Sequence, residues 1–226
     1  IIFLTNQWRL FKELILEHPN ISKSNLPKLV EKLIIIDPDL KCIVTKYGYP
    51  PLWSRQPGFA TLVHIILEQQ VSLASAAAAF NKLKTASNEV TPSSFLLYND
   101  EELKKFGFSR QKTLYCRILA ESILNGKLNL ESLQKMSDSE IGTTLTEIKG
   151  IGRWTSDIYL LMVLLRPDIW PKGDIALAAS YGMLKQIPKR PNQNDLELIA
   201  EKWKPWRSLA ARLLWHYYLS EKAGWF

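Results

Sequence analysis

The chain has 226 residues, 46% of them hydrophobic and 23% charged, with a net charge of +7 from 29 Lys and Arg against 22 Asp and Glu. This balance excludes intrinsic disorder for most of the chain, and the longest strictly apolar run, 158–165, is far short of the ~20 residues that span a bilayer. Two cysteines, Cys42 and Cys116, exclude a disulfide framework, a zinc site built on cysteines and a four-cysteine iron–sulfur cluster. The expectation is an intracellular protein whose basic excess suits a polyanion, nucleic acid first.

The opening Ile-Ile-Phe-Leu-Thr-Asn lacks Met, so the natural start is expected upstream, and four apolar residues are too few for a signal-peptide core. Trp8, Phe11, Leu14 and Ile15 recur at helical spacing, and Pro19 stops that helix. Asp37-Pro38 reads as an N-cap with Pro at N1, opening a short helix that ends near Gly48. After a Pro-rich loop the pattern predicts a long apolar helix over 59–68, then an Ala-rich helix over 73–84 capped by Ser72. Further helices are expected after Thr91-Pro92, from Asn99 to Gly107, and from Ser109 to Asn125. Next come 130–136, 138–148, 153–165, 175–186, 195–203 and about 206–219. No convincing alternating run appears, and the gaps are short, as in a compact helical fold. Asp100-x-Glu102-Leu103 followed by Gly107-Phe108-Ser109-Arg110 echoes Asp138-x-Glu140-Ile141 followed by Gly150-Ile151-Gly152-Arg153, which suggests two helix–turn–helix units of common plan.

The segment Leu145-Thr146-Glu147-Ile148-Lys149-Gly150-Ile151-Gly152-Arg153-Trp154-Thr155 joins two helical patterns. Gly150 and Gly152 permit positive φ and a tight hairpin, and without side chains they let a phosphate approach the main chain. The next helix begins near Arg153, so its unbonded N–H groups and positive end face the hairpin. Such a turn can hold a phosphate without reading sequence, and Lys149 and Arg153 add charge. A Gly-x-Gly pair by itself reads first as a plain helix–helix turn.

The full string resembles the hairpin of the helix-hairpin-helix DNA glycosylase superfamily, and Gly-Ile-Gly-Arg-Trp-Thr looks like its DNA-3-methyladenine glycosylase II branch. Three other stretches agree, in order, over roughly residues 55–226. Phe59-x-x-Leu62-x-x-x-Ile66-x-x-Gln69-Gln70-Val71-Ser72 resembles the family's Gln-x-x-Ser segment. Trp170-Pro171-x-Gly173-Asp174 resembles the loop carrying its catalytic aspartate. Trp203-Lys204-Pro205-Trp206-Arg207-Ser208 with Trp215 resembles its closing helix. The first fifty residues do not resemble the extra mixed α/β domain of some members.

The resemblance implies an all-α fold of two helical lobes with a cleft between them. Residues 57–186 would form the hairpin lobe, and 1–56 with 187–226 the other. It places the catalytic carboxylate on Asp174, a position that alone reads as an ordinary N-cap; the two roles are compatible. Cleaving an N-glycosidic bond builds positive charge on the deoxyribose, which a carboxylate beneath the sugar stabilises while orienting a water. Where the bifunctional branch carries a nucleophilic lysine, this chain carries Trp154, so a monofunctional enzyme that leaves an abasic site is expected. The substrate implied is duplex DNA containing alkylated purines.

Trp154 and Trp215 match base-pocket positions, whose rings would stack on a flipped cationic base; Ile158 stands where some members have an aromatic. Gln70 matches the residue that fills the gap left by the flipped base, although a helix-end Gln can also simply bond backbone. With Ser72, Lys149, Gly150, Gly152, Arg153 and Thr155 it completes the expected DNA contacts. Trp8, Trp53, Trp203 and Trp225 read as core. His18, His64 and His216 share no metal-ligand spacing, so no metal site is read from side chains. The resemblance implies no cofactor, while allowing a monovalent cation on hairpin carbonyls. A monomer is expected, associated with DNA in the cytoplasm and nucleoid, or in the nucleus of a eukaryote. The rival is a helix-hairpin-helix DNA-binding protein without chemistry.

Overall fold

In the computed structural model, which describes residues 19–223, twelve α-helices and two 3-10 turns make up the regular structure, with no strand among the described residues. The fold is all-α as expected. The helix predicted around Trp8, together with His18 and Trp225, lies outside the described residues. In chain order the helices are α1 (Leu26–Ile36), α2 (Pro38–Tyr47), α3 (Phe59–Glu68), α4 (Leu73–Ala86), α5 (Pro92–Leu96), α6 (Asp100–Phe106), α7 (Arg110–Leu124), α8 (Asp138–Thr146), α9 (Arg153–Met162), α10 (Ile175–Leu184), α11 (Gln193–Ala200) and α12 (Arg207–Ala223). Residues 132–135, expected as a short helix, form a 3-10 turn.

Local side-chain chemistry sets most boundaries. Asp37 accepts the amides of Asp39 and Leu40 to open α2, and Gly48 at φ 78 closes it. Ser72, Thr91, Asn99, Ser109 and Ser137 each accept an amide three residues on, the spacing at which a short polar side chain reaches an orphan helical N–H.

The chain divides into two units. The first comprises 53–164 with 171–173 and contains α3–α9. Helix α3 is its axis: α4, α7 and α9 pack on it, so Leu62, Val63, Ile65 and Ile66 are all buried and the helix is apolar around most of its circumference. Phe95 meets Phe59 edge-on and Phe108 at a tilt, extending this core. Glu68, buried at the end of α3, is held by both guanidinium arms of Arg55 at 2.9 and 2.8 Å. The two echoed segments do share a plan. α6 turns into α7 through Gly107 at φ 105, and α8 turns toward α9 through Gly150 at φ 101.

The second unit takes the described part of 1–52 with 165–170 and 174–226. Helix α12 is its axis, packed by α1, α2 and α10, and Ser208 to Leu214 are fully buried. Asp37, also buried, accepts from Trp203 Nε1 at 2.6 Å and from Lys202 Nζ at 2.9 Å; Trp203 is thus a core residue, as expected. The expected lobe boundary at residue 186 does not hold. Helix α10 belongs with the terminal segments, because Leu177, Ala178 and Tyr181 are buried as it packs on α12, and Ser180 Oγ donates to the carbonyl of Leu214 at 2.6 Å.

Candidate functional site

The hairpin joining α8 to α9 is built from the core outward. Ile148 and Ile151 are buried and pin it to its unit, with the amide of Ile151 donating to the carbonyl of Ile148 at 2.9 Å. This leaves Lys149, Gly152 and Arg153 exposed. Its two glycines differ. Gly150 has φ 101, and a β-carbon there would lie 2.2 Å from Cγ of Tyr115 on α7, so the fold itself demands glycine. Gly152 has φ −89 and ψ 179, ordinary extended backbone, and a β-carbon there would meet open space. The expectation that both glycines serve positive φ is corrected for Gly152: among the described residues nothing requires glycine there.

Gly152 is also the N-cap of α9 and offers no side-chain acceptor to the first turn. In the echoed turn the corresponding N-cap is Ser109, whose hydroxyl accepts the amide of Lys112 at 3.2 Å. One copy thus caps its helix with its own N-cap side chain, whereas the N-cap of the other has no side chain to offer and its positive helix end faces the hairpin, the arrangement that suits a phosphate.

The side chains around the hairpin sort differently from expectation. Thr155, expected at the DNA surface, is 1% exposed, and its hydroxyl accepts from Gln69; its side chain serves the interior. Arg153 does not stand free as a phosphate ligand: its Nε donates to both carboxylate oxygens of buried Asp157 at 2.8 and 3.0 Å, while its own side chain stays 69% exposed. Asp157 also accepts the backbone amide of Lys172 at 3.4 Å. Ile158 is buried within the wall of α9, whose residues Thr155 to Leu161 are all buried. It does not present an open surface to a base. Trp154, half-buried, is the second residue of α9.

Gln70 is exposed at φ 57, immediately after α3, and is flanked by exposed Val71, Ser72 and Leu73. Left-handed backbone is uncommon at a residue other than glycine and collects at functional turns. The alternative of a helix-end glutamine bonding backbone falls to its neighbour: Gln69 Nε2 donates to the carbonyl of Gly150 and to Thr155 Oγ1, both at 2.9 Å. Lys112, its charged form disfavoured by burial, donates to the carbonyl of Leu67 at 2.7 Å at the end of α3. Ser72 is engaged as the N-cap of α4.

In the terminal unit, Asp174 follows Gly173 at φ 85 and caps α10. Its Oδ1 accepts the amide of Leu177 at 2.9 Å and the indole N–H of Trp215 at 3.3 Å. Trp215, on α12, is 8% exposed. A half-buried carboxylate oriented by a helix end and an indole is a preorganised negative charge. Among the described residues no group of three His, Cys, Asp or Glu side chains could hold a metal ion. Sequence reasoning gave Gln69 no role beyond the Gln-x-x-Ser string, and missed Asp157 and Tyr115. The Gln-Gln doublet at 69–70 was a visible signal, and Asp157 stands four residues after Arg153 at helical ion-pair spacing, whereas nothing local announced Tyr115.

The family described as HhH-GPD superfamily base excision DNA repair protein matches residues 63–206. The DNA-3-methyladenine glycosylase 1 of Schizosaccharomyces pombe is 31% identical over 199 residues, covering 85% of this chain and 87% of that protein. The alkylbase DNA glycosidase-like protein of the same yeast is also 31% identical, over 86% of this chain and 95% of its own length. The solved structure of the S. pombe 3-methyladenine DNA glycosylase in complex with abasic DNA superposes with a TM-score of 0.80 at 29% identity, covering 86% of this chain and 97% of that one.

Proposed function

This chain belongs to the HhH-GPD superfamily of base excision DNA repair proteins, and from that membership we propose that it is a monofunctional DNA glycosylase that excises alkylated purines of the 3-methyladenine type from duplex DNA. The observation that carries the reading is Asp174, held on one oxygen by the amide of Leu177 and the indole of Trp215, in a chain whose hairpin helix has Trp154 where a lyase carries lysine. The open N-terminus of α9, with Gly150, Gly152 and Lys149, grips a phosphate of the lesion strand. Gln70 enters the duplex at the lesion, and Trp215, whose indole holds Asp174, supplies a ring for a base that is already cationic. As the N-glycosidic bond breaks, its electron pair leaves with the purine. The carboxylate of Asp174 stabilises the resulting sugar cation and orients the water that adds to it, releasing a proton to solvent and leaving an abasic site.

A monovalent cation on the hairpin carbonyls fits only as an additional ligand. Ile148 O already accepts the amide of Ile151 and Gly150 O accepts Gln69, leaving one lone pair on each; such an ion would add positive charge beside the bound phosphate. The protein acts as a monomer associated with DNA, and no helix among the described residues is long and apolar enough to cross a membrane.

The test is incubation with methylated duplex DNA, measuring released bases by chromatography and abasic sites by alkaline cleavage, with borohydride present in a parallel reaction. Base release, strand breaks only after alkali, and no trapped protein are expected. Tight binding to abasic-site duplex without base release would make the chain a binding module. A covalent adduct trapped by borohydride would mean that an amine attacks the sugar.

A further inference from the structure

Gln69 closes α3, its amide donating to the carbonyl of Ile66 at 3.3 Å, and the next residue is Gln70 in left-handed backbone. The side chain of Gln69 reaches across 81 residues of sequence to Gly150 and 86 to Thr155. The carbonyl of Gly150 can only accept, so the amide must turn its NH2 toward it, and this fixes the orientation of the group. Both N–H donors of the single nitrogen are then consumed, one by the turn of the hairpin and one by the first turn of α9. Thr155 Oγ1 is buried and has no access to water as a substitute. The hairpin backbone at Gly150 rests against the ring of Tyr115, so it cannot follow an independent movement of the Gln69 turn.

We propose that Gln69 is a positioning residue that locks the exposed turn at Gln70 to the phosphate-binding hairpin, so that the two segments reach the duplex as one rigid surface. This rests on the reading of both segments as DNA contacts given above. A phosphate grip carries no information about the base, whereas insertion at the lesion does. Coupling the two makes the energy of gripping the backbone available to unstacking the damaged nucleotide. Without the amide, the hairpin still binds duplex, but Gln70 is no longer held in register with it.

The experiment compares wild type with Gln69→Met, which keeps length and shape and removes both donors, after circular dichroism has shown each to be folded. Three quantities are read. These are affinity for undamaged duplex, affinity for an abasic-analogue duplex with 2-aminopurine beside the lesion, and single-turnover excision of 3-methyladenine at saturating enzyme. Expected for Gln69→Met are undamaged-duplex affinity within about twofold of wild type and a roughly tenfold loss of preference for the abasic duplex, the scale of two modest hydrogen bonds. The 2-aminopurine fluorescence increase should be smaller and the single-turnover rate lower, with little change in the enzyme concentration giving half-maximal rate. A loss of stability alone would scale all three quantities by the folded fraction and leave the preference intact. If Gln69→Met does not fold, Thr155→Val, which deletes one acceptor, carries the same test with a smaller change of the same sign. Unchanged preference and fluorescence in the folded variant overturn the proposal. A wild-type protein that neither prefers the abasic duplex nor excises overturns the functional reading, and this inference with it.

Discussion

The two hairpin glycines offer a separation of fold from function, because the structure assigns them opposite reasons for existing. In Gly150→Ala, an L-residue must hold φ 101, which costs about 1–3 kcal/mol. Its methyl group would also lie 2.2–2.7 Å from three atoms of Tyr115, and the forced repacking costs about 1–3 kcal/mol more. At about 2–4 °C per kcal/mol for a chain of this size, Tm should fall by roughly 5–20 °C. In Gly152→Ala the backbone already sits where any residue can, and the methyl group meets nothing. Reduced freedom in the unfolded chain adds about 0.4–1 kcal/mol, and exchanging Gly for Ala at an N-cap takes back a similar amount, so Tm should hardly move. Binding should move instead, because the added methyl group stands where a phosphate must approach the N–H groups of α9. Losing a charge-assisted hydrogen bond there weakens affinity by roughly 10- to 100-fold, equally for damaged and undamaged duplex. Thermal denaturation and a salt titration of binding to an abasic-site duplex measure both effects. A folded Gly152→Ala protein that binds like wild type across salt concentrations would refute the argument: the hairpin would be a structural turn, and DNA would be gripped elsewhere.

Other outcomes follow from the same geometry. Asp174→Asn keeps a good N-cap, so Tm should change by little while base release in the chromatographic assay falls by about 10²–10³ or more, with affinity for abasic duplex retained. Lys149→Ala should lower the salt slope of log Kd by about one with no loss of stability. Arg153→Ala should cost on the order of 1–3 kcal/mol in urea denaturation, because it strips buried Asp157 of its guanidinium. Burial pushes the Asp37 carboxyl up, but hydrogen bonds from Lys202 and Trp203 outweigh it and hold the group below its ordinary 3.8. Its contribution is therefore full above that pH and lost as pH falls through the lower folded value, so the acid limb of the Tm–pH curve should flatten in Asp37→Asn.

Much of the fold was legible because its signals are local. Caps act within three or four residues, so Asp37-Pro38, Ser72, Thr91-Pro92, Asn99, Ser109 and Gly107 mark helix ends in the sequence as they do in the structure. Helix α1 carries the same kind of signal, in Leu26, Leu29, Val30, Leu33 and Ile34 at helical spacing beside Pro27, although it is not among the helices expected above. The hairpin string and the Gly173-Asp174 cap are likewise contiguous stretches.

What the sequence could not decide depends on neighbours distant along the chain. Helix α10 is apolar on every side, so its pattern does not say what it packs against, and only its burial against α12 assigns it to the terminal unit. Almost every residue of α9 is buried, so periodicity could not tell that Thr155 faces Gln69 or that Ile158 lies in the wall. Two glycines one residue apart look alike as letters. The ring of Tyr115, brought against Gly150 from another helix, makes one of them a requirement of folding and leaves Gly152 to be explained by what binds from outside.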